Sequence, residues 1–415
     1  MVVKSMKYMP IKWTRRINIT LEEIEDEKIS IALMASFVIL TIQYSILIYF
    51  NLLETTNALK VQLISKVLVG VIFLYALPAV LKRSKIKFIG TYCIGLIIVL
   101  LNYLIFPENH LYLNELIFPF FFMCLPTFIY SLSLKNWYIL KQTMKKASLI
   151  VFLFGTILGM LILGGKASAG AYSMSLSYYM LLPTIMYLDE LLDKLSLKAF
   201  LYALVSLLII LALGSRGAIL CSVVFVVLKL IKFDFKQKYS SMLYYLLTMA
   251  ISVVMYIYLD HILEITYNLL LNFGIRSRSI LLFLRKDTYL SGRDTIYQKI
   301  SEEISNNPFL GIGLGGDRRI IGGGYAHNFF LEVLANFGIF MGLILSFALI
   351  LLILRLLLVK DKEKYNMLII WLSLGFVHLM VSSSYLIDIK FWILMGFITN
   401  ILRNGKYQRS QMKYP

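Results

Sequence analysis

The sequence predicts an all-α polytopic membrane protein of about twelve transmembrane helices, with both termini cytoplasmic and one large extracytoplasmic loop between helices nine and ten. Three observations predict it. Of 415 residues, 59% are hydrophobic and only 15% are charged, well below the roughly 25% charged residues of an ordinary soluble domain. The apolar residues gather in runs near the length of about 20 that a membrane-crossing helix requires. Between those runs, Lys and Arg alternate between rich and poor segments, which is the charge signature of topology. A soluble globular enzyme is excluded.

In chain order, residues 1–30 read as a polar cytoplasmic tail, with six basic and five acidic residues and without the apolar core and cleavage pattern of a signal peptide. Apolar runs follow at 31–52, 61–81, 86–106, 111–133, 147–164, 172–191, 197–213, 217–233 and 241–259. Residues 260–327 form the long loop, and runs at 328–357, 366–385 and 389–402 precede a C-terminal tail at 403–415. The tails and alternate connections hold 28 Lys and Arg, whereas the opposite short connections hold five. An even number of spans then places both ends in the cytoplasm. The net charge of +18 divides accordingly into +17 on the inner face and +1 on the outer, so it records orientation and not a nucleic-acid partner. Cys93, Cys124 and Cys221 lie in apolar runs without regular spacing and support neither a disulfide framework nor a zinc site.

The long loop holds eight basic and seven acidic residues, and loops of that length tend to carry function. Within it, 262–273 is too short to span and is expected to lie in the membrane interface or to pack on the bundle. A helix is expected from about Gly292 to Asn306, with Ile296, Ile300 and Ile304 on one face, Ser291 and Asp294 spaced like a capping box, and Asn307-Pro308 ending it. Seven glycines in GIGLGGDRRIIGGG predict irregular backbone. Gly311, Gly313 and Gly316 spell a dinucleotide-type pattern, but Pro308 and the continuing glycines supply neither the preceding strand nor the following helix it needs. An anion-binding nest of N–H groups or a plain flexible loop remain open. The pairs Gly155/Gly159 and Gly338/Gly342 suit close helix packing.

Four positions draw attention as chemistry. Arg216 sits in GSRGA, a turn between two apolar runs, where it is either a snorkelling anchor or a ligand for an anion. Arg293 stands at the start of the loop helix, where a cation is mildly unfavourable unless an anion binds there or Asp294 or Asp287 pairs with it. His327 closes the glycine run and opens the next apolar run, followed by Asn328, a position suited to a general base or a hydrogen-bond donor to a leaving group, with a purely structural histidine as the alternative. His110, His261 and His378 serve as comparisons in less suggestive places. Arg276, Arg278, Arg318 and Arg319 add basic groups to the loop, the last two read as solvated charges. No metal-type clustering of acidic residues occurs on the outer face, which favours arginines in place of a divalent cation.

Taken together, GSRGAIL, then SGRDTIYQKISEEISNNPFLGIGLGG, then HNFFLEVLANFGIFMGLI resemble the O-antigen polymerase and ligase superfamily of bacterial membrane glycosyltransferases, over about residues 214–345. The order agrees as well: an arginine turn, a large outer loop, and a histidine opening the following span. AGAYSMSLSYYMLLPTIM at 169–186 looks like a segment of Gram-positive-type capsule polymerases. The resemblance implies a C-type glycosyltransferase fold in the bacterial cytoplasmic membrane, with its active site on the extracytoplasmic face. It implies a donor glycan on undecaprenyl diphosphate, no cofactor and no nucleic acid, and a possible chain-length regulator as partner. Carried onto this chain, Arg216 and Arg293 would bind and neutralise the diphosphate and His327 would activate the acceptor hydroxyl or orient it, in an inverting, metal-independent displacement. Asn328, Arg276, Arg278 and Tyr172 would contact substrate. The implied activity is polymerisation of repeat units into a surface polysaccharide. A ligase passing the glycan to a final acceptor is the alternative within the family, and a lipid-linked oligosaccharide flippase the alternative outside it. Transporters commonly show two related halves, whereas this chain has its long loop only in the second half.

Overall fold

A computed structural model describes residues 20–53, 55–163, 174–194, 196–213, 215–232, 259–272, 284 and 293–411. Among the described residues every regular element is helical, as expected where water is absent and each backbone N–H must find a carbonyl within its own segment. Six helical stretches are long and apolar enough to cross a membrane: Leu21–Tyr49, Thr56–Ile105, Pro107–Ser133, Trp137–Ile162, Phe329–Leu357 and Lys362–Val381. Leucine, isoleucine and phenylalanine side chains stand exposed along them, including Leu63, Leu74, Leu101, Leu343 and Phe347. In water such faces would be an aggregation liability; against lipid they cost nothing. The chain is a multi-pass membrane protein.

α1 (Leu21–Tyr49) starts ten residues before its apolar run because Thr20 and Glu23 close a capping box, and its acidic first turns find cations. Arg83 Nε lies 2.9 Å from Glu25 and its Nη1 2.5 Å from the buried Asp26, whose carboxylate also accepts the N–H groups of Lys135 and Asn136 at 3.1 Å. Arg83 adjoins the break at Ser84 (φ −147°) that divides α2 (Thr56–Ile105) into two arms, so two expected runs form one bent element. α3 (His110–Pro119) and α4 (Leu125–Ser133) flank a π turn at 120–124 and return the chain to the Arg83 end.

α5 (Trp137–Leu163) also starts ten residues before its expected bound, since the lysines that end an apolar run are paired. Lys141 lies 2.6 Å from Asp189, a fully buried carboxylate that Lys229 also meets at 2.6 Å. α6 (Met174–Tyr179), α7 (Leu181–Asp193), α8 (Leu197–Leu213) and α9 (Arg216–Ile231) follow. Gly155 and Gly159 admit Met180 and Ile209 where a Cβ would clash or crowd, which bears out close packing at that pair. The run expected at 241–259 lies almost wholly outside the described residues, as do Tyr172, Gly214, Arg276, Arg278, Asp287 and Ser291.

In the loop region, α10 (Leu259–Asn272) and α11 (Arg293–Asn306) occupy the stretches where short helices are expected. The glycine run is not irregular throughout. It contains the six-residue helix α12 (Gly316–Ile321), entered and left through the left-handed glycines Gly315 and Gly322. α13 (Phe329–Leu357) is broken at Gly338, where φ 75° and ψ 173° are open only to glycine. Its packing role differs from the expected one. The Ile312 N–H donates to Ala335 O and the Ile339 N–H to Pro308 O, both at 2.7 Å, so residues 308–312 dock on the break. α14 (Lys362–Trp371), a π turn at 372–377 and α15 (His378–Val381) form one bent crossing, and α16 (Ile389–Gln411) follows a tight turn. Trp371, Tyr130, Phe225 and Phe397 are the largest fully buried side chains of the main core.

Candidate functional site

The end of the bundle opposite Arg83 gathers α11, α12, the start of α9, the start of α13 and the 382–390 turn. Ser215 caps α9, its hydroxyl accepting the Ala218 N–H at 3.3 Å, which presents the half-buried Arg216 as the first residue of the helix. The next residue must be glycine. A Cβ at Gly217 would strike the Tyr178 hydroxyl and come within 2.8 Å of Val381. Tyr178, on α6, brings its hydroxyl against Gly217, with Ser215, Ser382 and Arg293 all near enough to act on it. The arginine turn, α6 and the loop helix are thereby joined at one place.

His327 also lies within the electrostatic reach of Arg293. Its φ of 55° is left-handed, a conformation costing a non-glycine residue about 1–3 kcal/mol and typical of functional positions. Its ring packs 4.2 Å from that of Tyr325, and its buried Nδ1 has no hydrogen-bond partner among the described residues. Burial, and then the positive charge of Arg293, press its pKa down from 6.5 to about 4. The ring is neutral at physiological pH, the form a base requires. Asn328 serves the fold directly: it caps α13, its Oδ1 accepting the Leu331 N–H at 3.1 Å.

Behind His327 lies a buried charged layer that the loop's composition did not suggest. Asp317 Oδ2 accepts the N–H of Ala326, next to His327, at 3.2 Å. Arg318 is 7% exposed, not solvated as expected. Its Nε and Nη2 have no partners among the described residues, and its Cζ stands 6.0 Å from the Tyr325 ring. Burial pushes the Asp317 carboxyl up against the opposing pull of Arg318. Glu332 accepts hydrogen bonds from the Ser384 hydroxyl and from the Tyr385 N–H at 3.3 Å, tying α13 to the 382–390 turn. Arg319 is exposed, as expected of a solvated charge; its Nε donates to Asn109 Oδ1 at 3.1 Å, and Asn109 Nδ2 donates to Ile312 O at 2.6 Å.

A third group has little signal in the sequence because it lies in and beside an apolar run. His378 Nδ1 is 2.8 Å from Asp388 Oδ2 and 2.9 Å from Lys390 Nζ, and its ring centroid is 4.1 Å from that of Tyr178. Burial raises the Asp388 carboxyl, but Lys390 and His378 outweigh it and hold the group below the ordinary carboxylate range. The π turn immediately before His378 is the one local signal, since such bulges recur at functional positions. Among the described residues no three His, Cys, Asp or Glu side chains come together as a metal site.

The structure thus brings Arg216, Arg293 and His327 to one end of the bundle and adds Tyr178, Tyr325 and the His378 cluster to them. The family model described as O-antigen ligase matches residues 201–346, a segment holding all three sequence-selected residues, which supports the O-antigen polymerase and ligase superfamily. No curated protein and no solved structure matches the chain. The family comprises membrane glycosyltransferase-like enzymes whose substrates are lipid-linked glycans in the membrane.

Proposed function

We propose that the protein polymerises undecaprenyl-diphosphate-linked oligosaccharide repeats into a surface polysaccharide at the outer face of the bacterial cytoplasmic membrane. The observation that carries this reading is the convergence of a neutral, strained His327 with Arg293 and the Arg216 turn inside the matched segment. On this reading the chain crosses the membrane about twelve times with both ends cytoplasmic. Residues 260–327 form the catalytic loop, between spans at 31–259 and 328–402.

The reaction follows from the side chains. The acceptor hydroxyl attacks the anomeric carbon of the donor glycan, forming the glycosidic C–O bond, while His327 takes the hydroxyl proton. The bond from that carbon to the diphosphate oxygen breaks, and the electron pair leaves with the diphosphate. Arg216 and Arg293 meet the growing negative charge with bidentate guanidinium groups, in the role a divalent cation plays elsewhere. Attack opposite the leaving group inverts the anomeric configuration. Tyr172, Arg276 and Arg278 add contacts to the glycan or diphosphate, Asn328 contributes its free amide N–H groups, and a chain-length regulator binds as partner.

The family description favours a second reading, a ligase that transfers the glycan to a final acceptor. Deletion of the gene separates the two. A single repeat still attached to its final acceptor indicates a missing polymerase; long chains accumulating on undecaprenyl diphosphate indicate a missing ligase. His327→Ala, Arg293→Ala and Arg216→Ala each abolish polymer while inserting normally in the membrane. Normal chain length in any one removes that residue from the mechanism.

A further inference from the structure

A cavity of about 450 Å³ opens between α1, α6 and the 382–390 turn; the His378, Asp388 and Lys390 group forms part of its wall, whereas Arg216, Arg293 and His327 do not line it. Its volume lies within the ~300–1,000 Å³ of small-molecule sites. Tyr178, Tyr179 and Tyr325 supply aromatic walls, and Ser175, Ser382 and the Asp388–Lys390 pair supply polar edges. Ser36, also on the wall, buries a hydroxyl without a partner among the described residues. Rings with polar tips around a few fixed hydrogen-bonding groups match a pyranose, which has an apolar C–H face and a rim of hydroxyls.

The charge of the cavity decides what class of group it takes. Lys390 Nζ is 3.5 Å from Asp388 Oδ2, so the one ammonium and the one carboxylate on its wall cancel. A diphosphate gains nothing there and gains a great deal at Arg216 and Arg293. Two residues fix the order of the two sites. Tyr178 turns its hydroxyl to Ser215 of the arginine turn and its ring to His378 on the cavity wall. Tyr325 lines the cavity and packs on His327. A sugar seated in the cavity is therefore next to the base and one tyrosine away from the diphosphate.

We propose that this cavity is the seat of an uncharged sugar ring of the acceptor glycan, holding its hydroxyl toward His327. The assignment rests on the glycosyl-transfer reading and adds to it a separate acceptor site with its own residues. Ser175 is the position to test because it lies at the exposed rim, where a large side chain fills the cavity without disturbing the core.

The experiment uses the full chain in detergent with two probes. The donor is the undecaprenyl-diphosphate-linked single repeat extracted from membranes of a strain lacking the gene. The acceptor is the same oligosaccharide released from lipid and reduced at its reducing end, so that it can accept but not donate. In Ser175→Trp the KM for this acceptor rises tenfold or more, while hydrolysis of the donor by water stays within twofold of wild type. A Ser175→Trp enzyme with the wild-type acceptor KM, or with donor hydrolysis lost as well, overturns the acceptor seat and leaves glycosyl transfer standing. A wild-type enzyme that neither extends nor hydrolyses the lipid-linked repeat overturns the transfer reading, and the acceptor seat with it.

Discussion

The pKa of His327 gives the sharpest test of its role, because two separable causes set it. Burial lowers it first and the Arg293 charge second, to about 4. At pH 5.5 a histidine with a pKa of about 4 is roughly 97% neutral, whereas one at the reference value of about 6.5 is roughly 9% neutral. A base mechanism with the depressed value therefore holds its rate through pH 5.5, where an ordinary histidine would have lost about tenfold. The sign is fixed by the direction of the shift. The neutral, active form is present above the folded pKa and is lost as pH falls through it. Single-turnover kcat/KM of the purified enzyme, measured from pH 4 to 8 with the lipid-linked repeat, reports this limb for the free enzyme. Arg293→Gln removes the second cause and leaves burial, so in its residual activity the limb moves up but stays below 6.5. A wild-type limb near 6.5, or a limb that does not move in Arg293→Gln, refutes the neighbourhood described for His327.

Three further outcomes follow from the same geometry. Asp317→Asn keeps an acceptor for the Ala326 N–H but removes the charge beside buried Arg318. A 1 Å misplacement of a reacting group costs about 10²-fold, so kcat falls tenfold or more with little change in KM. Equal loss in both would mean the residue acts on binding instead. Gly338→Ala forces a side chain into a left-handed conformation against the Phe309 carbonyl, at a cost of about 1–3 kcal/mol. It lowers the thermal midpoint and exposes 308–312 to protease, and an unchanged midpoint would show that the break is not needed. Excess EDTA leaves chain extension by the purified enzyme unchanged; inhibition reversed by a divalent cation would replace the arginine-only account of the leaving group.

Helix positions were legible wherever hydropathy alone decided them, as at 197–213, and were misjudged where charges are neutralised inside the structure. α1 and α5 both begin about ten residues before their apolar runs because Asp26 meets Arg83 and Lys141 meets Asp189. A linear scan reads each of those residues as the edge of a span. Charge pairing is a property of two segments brought together, and no window on one of them contains it. The break at Gly338 escaped for the same reason. Its glycine pattern fits helix packing equally well until the 308–312 segment is seen to dock there.

The candidate site divides along a similar line. Arg216, Arg293 and His327 stand out in sequence because each is a charged or titratable group at a boundary where apolar periodicity stops. Arg318 reads in sequence as one more solvated charge in a basic loop, whereas in the fold it is a buried cation beside Asp317 and Tyr325. His378 seemed ordinary for the opposite reason: it sits inside an apolar run, and Asp388 and Lys390 are ten and twelve residues away. Yet ionisable groups within spanning segments are expensive and generally face a partner or a cavity. Read with that rule, a histidine in one run followed by an acid and a lysine at the start of the next already names two helix ends that must meet. The structure joins them beside Tyr178. The polar cost of burying three titratable groups is thus borne at the same end of the bundle as the arginines and His327. A stability role alone gives no reason for that placement, since a hydrophobic triad of equal volume would serve the fold as well or better. On the glycosyl-transfer proposal, their place on the wall of the cavity that Tyr325 shares with His327 gives them a second use, as hydrogen-bonding groups for a glycan.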